Sequence, residues 1–179
     1  MVRIENSSPD DKELALRILS WISRALRPLR MNELLEALVT EVVLPNTTLE
    51  EALQCLLSPS DIIECCKSLV IYEESSGLVR FAHFTVQEFL NSHAPADFPP
   101  QTHLAKTCLA YLAFPEFDEP SPIKSVLQDR LEKYEFSQYA AQYWGRHSQG
   151  DAEIKFENEI FEIFQSQGKC RADSGLGCI

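Results

Sequence analysis

The stretch Ile62–Leu90, IIECCKSLVIYEESSGLVRFAHFTVQEFL, decides the fold, because the hydrophobic period changes twice inside it. Ile62–Leu69 has helical spacing, with Ser60 or Asp61 at its start. Leu69–Glu74 and Leu78–Ala82 follow as strand-like runs around Ser75-Ser76-Gly77, a short turn whose glycine can supply positive φ. The chain re-enters helix at Thr85. Thr85 and Glu88 match a T-x-x-E capping box, and Phe84 and Phe89 occupy the two positions of a hydrophobic staple. Val86, Phe89, Leu90 and His93 then line one face.

Upstream, Ser8-Pro9-Asp10-Asp11 offers a cap, a proline at the first helical position and acidic residues in the first turn. Leu14, Ile18, Trp21, Ile22 and Ala25 follow at helical spacing, with Glu13, Arg17, Ser20 and Arg24 opposite, until Arg27-Pro28 ends the helix. Met31, Leu34, Leu35 and Leu38 form the stripe of a second helix, and Thr48 caps a short third, LEEALQCLL. Four helices, a hairpin and a helix make a winged-helix order. The hairpin supplies the sheet edge on which helices this short can bury their stripes.

Downstream, Ala94–Pro100 carries three prolines and is expected to be a linker. Residues 101–166 are expected to be helical, in four helices marked by Leu104, Cys108, Leu109 and Leu112; by Ile123, Val126, Leu127, Leu131 and Tyr134; by Phe136, Tyr139, Ala140, Tyr143 and His147; and by Phe156, Ile160, Ile163 and Phe164. Residues 167–179 have the composition of a disordered tail. The fold class expected is mainly α, with a winged-helix domain over 10–93 that contains a two-stranded β-hairpin, followed after the 94–100 linker by a helical segment.

Composition narrows the function. The formal net charge of −11 is spread evenly: residues 1–93 carry 8 basic and 14 acidic side chains, residues 94–179 carry 8 and 13. A nucleic-acid face would have to be built locally against that background. Ile62–Leu69, the candidate recognition helix, offers one lysine and one glutamate, and the wing carries Glu73 and Glu74, so DNA binding is the rival to be tested rather than the first expectation. No apolar run approaches the ~18 residues of a membrane span, and the N-terminus has no apolar signal segment, so a cytoplasmic protein without membrane contact is expected.

The six cysteines, Cys55, Cys65, Cys66, Cys108, Cys170 and Cys178, lack the spacing of zinc ligands and are expected to be free thiols. Nucleotide-binding, nucleophile-elbow and H-E-x-x-H motifs are missing, and with six glycines no phosphate-cradling loop is available. No catalytic residue, metal site or cofactor is expected, and the chain is not expected to be an enzyme. His93, His103 and His147 are expected at the surface or at interfaces. His83 lies where the second strand meets the last helix. There it either bonds nearby backbone or reaches a ligand, since imidazole can donate to a phosphate oxygen.

LRILSWISRALRPLRMNELLEAL (16–38), Ile62–Leu90 and YAAQYWGRH (139–147), in that order, resemble the region after the nucleotide-binding core of fungal NACHT proteins of the STAND, NOD-like-receptor type, often with ankyrin repeats further on. The winged-helix part resembles the GPI inositol-deacylase-like winged-helix domain, and the resemblance covers roughly residues 12–147. It implies a regulatory module that packs on a NACHT core or a repeat domain, in cis or in trans. It also implies that His83 matches a junction histidine that contacts the β-phosphate of bound ADP, with Ala82 and Phe84 in place of that motif's methionine and aspartate. The nucleotide-binding core is absent from these 179 residues, as expected of a piece or a remnant of something longer.

Overall fold

The computed structural model describes residue 4 and residues 7–44, 47–118 and 124–149. The last expected helix (156–164), the 167–179 tail, Cys170 and Cys178 lie outside the described residues. The elements in order are α1 (Pro9–Arg24), β1 (Leu29–Arg30), α2 (Met31–Thr40), α3 (Leu49–Leu53), α4 (Pro59–Cys65), β2 (Val70–Glu73), β3 (Leu78–Phe81), α5 (Phe84–His93), α6 (Gln101–Leu112), a 3-10 turn (Pro115–Phe117), α7 (Lys124–Lys133) and α8 (Phe136–His147). The chain divides into two compact units: residues 1–38 with 56–100, and residues 39–55 with 101–179.

In the first unit, α1 starts as its composition dictates. The Ser8 hydroxyl accepts from the Asp11 N–H at 3.2 Å, Pro9 sits in the first turn, and Asp10 and Asp11 face the positive end of the helix. Its buried face is wider than the expected stripe. Ala15, Leu19 and Ser20 are fully buried beside Ile18 and Trp21, and the Ser20 hydroxyl, expected among the polar residues, donates to the Pro99 carbonyl at 3.0 Å. The proline-rich 94–100 segment is therefore tied to α1. Phe98 is buried under the Arg24 guanidinium, and Asp97 pairs with Lys12 at 2.8 Å.

The sheet has three strands in the order β1-β3-β2, all antiparallel. The hairpin β2–β3 matches the expected one, with Val70 opposite Phe81 and Glu73 opposite Leu78. A third strand, not expected from the sequence, extends that hairpin. Leu29 and Arg30 pair with Val79 and Leu78, and the Met31 N–H donates to the Gly77 carbonyl at 2.9 Å. A two-residue strand has no periodicity of its own, and only the tertiary pairing creates it. Arg27 is fixed beside it by a two-pronged ion pair with Glu33, at 2.8 and 2.6 Å.

α4 begins earlier than expected, at Pro59, because Ser58 and Asp61 form a reciprocal capping box: Asp61 N–H to the Ser58 hydroxyl at 3.2 Å, Ser58 N–H to the Asp61 carboxylate at 2.9 Å. The helix ends at Cys65, and the chain turns into β2 through Lys67 and Ser68, both left-handed at φ 48° and 67°. Gly77 holds the same region at φ 70°, where nothing crowds an added Cβ. Opposite outcomes follow at these two turns. Gly77→Ala should lose about 1 kcal/mol and Ser68→Gly should gain about as much, because a side chain in the left-handed region costs ~1–2 kcal/mol. Urea unfolding of both variants checks the signs.

The second unit is built on an aromatic core. Tyr111, Phe136 and Tyr139 are fully buried, with Tyr111 edge-on to Phe136 at 5.0 Å and Phe136 stacked on Tyr139 at 5.6 Å. α3 is capped twice. Thr48 and Glu51 form a capping box, and Glu116, from the 3-10 turn, accepts from the Leu49 N–H at 2.8 Å.

Candidate functional site

The junction that sequence patterning singled out is solvent-facing. β3 ends at Phe81, the Ala82 N–H donates to the Leu69 carbonyl at 2.9 Å, and His83 follows as an exposed, extended residue (φ −140°, ψ 143°) at the N-cap of α5. The helix thus starts at Phe84, and no side chain caps it. This corrects the expected capping box. Thr85 sits inside the first turn rather than before it, where its hydroxyl cannot reach the free N–H groups ahead. The expected staple is open as well: Phe84 is 74% exposed and Phe89 42% exposed, the latter stacked on His93 at 5.5 Å.

Of the α5 side chains, only Leu90 is buried; Gln87 ties the helix to α1 by donating to the Ser23 hydroxyl at 2.6 Å. His83, Phe84, Thr85 and Phe89 are all exposed, beside uncapped backbone N–H groups; Phe84 and Phe89, five positions apart, lie about 140° from one another around the helix, so the two rings meet water on different sides. Thr85→Ala should therefore leave the melting temperature unchanged, whereas Ser58→Ala should cost about 1 kcal/mol, the usual value of a lost cap. Thermal unfolding of the two variants in parallel checks this.

The surface where a DNA-reading winged helix would meet phosphates carries the wrong charge. On α4, the turn after it and the wing, Asp61, Glu64, Glu73 and Glu74 stand against Lys67 and Arg80, and Arg80 lies 3.6 Å from Glu73. A shallow depression on α4 is lined by Ser60, Ile63, Glu64, Lys67 and Ser68. It offers one cation, far short of the several Lys and Arg contacts that duplex affinity requires.

Three of the four described cysteines are buried in the fold. Cys55 is exposed and free, while Cys65, Cys66 and Cys108 are buried. Burial pushes the Cys66 and Cys108 thiols far above their ordinary range, and burial followed by the Asp11 charge raises Cys65, which leaves all three as thiols. Among the described residues, no group of three or more His, Cys, Asp or Glu is placed to hold a metal ion.

His147 corrects a sequence expectation. It is fully buried, with Nε2 2.8 Å from the Tyr139 hydroxyl and Nδ1 against the Gln101 side-chain amide. Burial, with the nearby Arg146 charge second, lowers its pKa to about 4. His103 is half-buried, its Nε2 2.9 Å from the buried Glu41 carboxylate.

Among the described residues, no helix is long and apolar enough to cross a membrane. The family model described as GPI inositol-deacylase, winged helix domain, matches residues 5–99, the stretch that carries α1 through α5. A curated protein from Monascus ruber, "Azaphilone pigments biosynthesis cluster protein L", is 28% identical over 173 residues, which is 86% of this chain and 35% of that protein. The chain thus spans about a third of the length of the curated relative it matches. No solved structure matches.

Proposed function

We infer, for a chain that belongs to the family of the GPI inositol-deacylase winged helix domain, that it serves as a non-catalytic regulatory module of a NACHT-type signal-transduction ATPase, docking on a nucleotide-binding core or another protein in cis or in trans. The observation that carries this is the exposure of two large rings on α5, Phe84 at 74% and Phe89 at 42%. Large exposed rings are costly in water and favourable at a protein interface. The uncapped start of α5 and the exposed His83 imidazole next to it in sequence supply donors of the kind a bound phosphate takes, as in the junction histidine of NACHT relatives. The buried thiols are consistent with a reducing, cytoplasmic setting.

The acidic face on α4 and the wing weighs against DNA binding as the alternative, and among the described residues no side-chain constellation favours catalysis. The test is association in trans. The chain should co-elute in size-exclusion chromatography with an ADP-loaded NACHT core. The Phe84→Asp/Phe89→Asp variant should stay folded by circular dichroism and lose co-elution, and His83→Ala should speed ADP release from the complex. Failure to co-elute, together with tight and salt-sensitive binding to a DNA duplex, would sink the proposal.

A further inference from the structure

β3 has an unfinished edge. The ladder to β1 pairs Leu29 with Val79, and the Met31 N–H with the Gly77 carbonyl, so the Gly77 C=O and the backbone groups of residues 79 and 81 turn toward β1. Residue 82 points to the other side, to Leu69. The next rung would set Arg27 against Phe81. The chain bends at Leu26–Arg27 ahead of Pro28, however, and β1 begins only at Leu29. The N–H and C=O of Phe81 are thereby left without a ladder partner, and a groove opens beside them. It is lined by Ile22, Leu26 and Pro28 on one side and by Arg80, Phe81 and Gln87 on the other.

We propose that this groove binds an extended, acidic segment of a partner protein, which adds a short strand to β3 at Phe81. The proposal rests on the interaction-module reading above and names the partner's chemistry. An extended backbone can satisfy the Phe81 N–H and C=O together, which a helix, with its own groups already paired, cannot do. An alternate apolar side chain of the segment rests on Leu26, which is 38% exposed, and on the exposed Pro28. Charge selects the rest. On the outer face of the sheet Arg30 and Arg80 are both exposed, and the loose 3.6 Å approach of Glu73 leaves Arg80 open to a second carboxylate. Within a chain of net charge −11 these two arginines make a local cationic spot that repels basic segments and attracts acidic ones. Arg27, locked by Glu33, keeps the wall of the groove in place.

The probes are two labelled heptapeptides, one alternating glutamate with valine and one alternating lysine with valine, added to the full ¹⁵N-labelled chain. The acidic peptide is expected to bind at least about tenfold tighter than the basic one, with Arg80→Glu removing that preference, by fluorescence anisotropy. Amide exchange at Phe81 is expected to slow on saturation with the acidic peptide, a readout that needs no substitution. Equal binding of the two peptides, or saturation without slower Phe81 exchange, overturns the proposal. Absence of peptide binding with co-elution of the NACHT core intact overturns the groove assignment alone, whereas loss of both overturns the interaction-module reading with it.

Discussion

Trp21→Ala should lower the unfolding free energy by about 3–5 kcal/mol, the usual cost of truncating a buried tryptophan, and should leave little folded winged helix at physiological temperature. Trp21 is fully buried in α1, as are Ile18 and Leu19. A natural domain holds only ~5–15 kcal/mol in all. The loss is felt first where α1 organises its unit, through the Ser20–Pro99 bond, the Cys65 thiol on the Asp11 carbonyl, and the Gln87–Ser23 bond. Hydrogen exchange read by residue should therefore accelerate across 9–38 and 59–93 alike. Acceleration confined to α1, or a loss below about 1 kcal/mol, would mean that the indole is not the packing centre of this unit.

What could be seen in the sequence follows from how local each cause is. The caps at Ser8 and Thr48 were legible because donor and acceptor lie three residues apart. The hairpin was legible because a change of period brackets Ser75-Ser76-Gly77. The same locality misled at Thr85. Its T-x-x-E match is sound as a pattern, but β3 delivers the chain to helical geometry at Phe84, so the motif arrives too late to be used. At Ser58 the reverse holds: Asp61 replaces the usual glutamate, and the weaker-looking match is the one that closes.

β1, the buried face around Ser20 and the open edge at Phe81 all depend on partners far along the chain. For that reason neither propensity nor spacing displays them. His83 lies, as its place in the sequence implied, where β3 meets α5, and it is exposed there. The two phenylalanines taken for a staple are on the surface, because the helix starts at Phe84, ahead of the cap expected at Thr85.

The last expectation concerns acid. His147 was expected at the surface or at an interface, yet Gln101, 46 residues away, and Tyr139 close over both of its nitrogens. The Gln101 amide can donate to Nδ1, which leaves Nε2 to carry the proton and donate to the Tyr139 hydroxyl, so the buried ring is neutral. Its folded pKa of about 4 lies below the ordinary 6.5, and between these values the unfolded chain binds the proton that the folded one refuses. Stability from this group is therefore complete above pH 6.5 and drains away as pH falls toward 4. The loss amounts to about 3 kcal/mol, at 1.36 kcal/mol per pKa unit. Carboxylates titrate in the lower part of that window too, so the measurement is a difference: urea unfolding from pH 7 to 4 for the parent and for His147→Gln. The variant should start lower at pH 7, having lost the fitted imidazole, and should fall less steeply between pH 6.5 and 5. Parallel curves would mean that His147 is solvated in the folded protein, and that α8 is held on α6 by its aromatic rings alone.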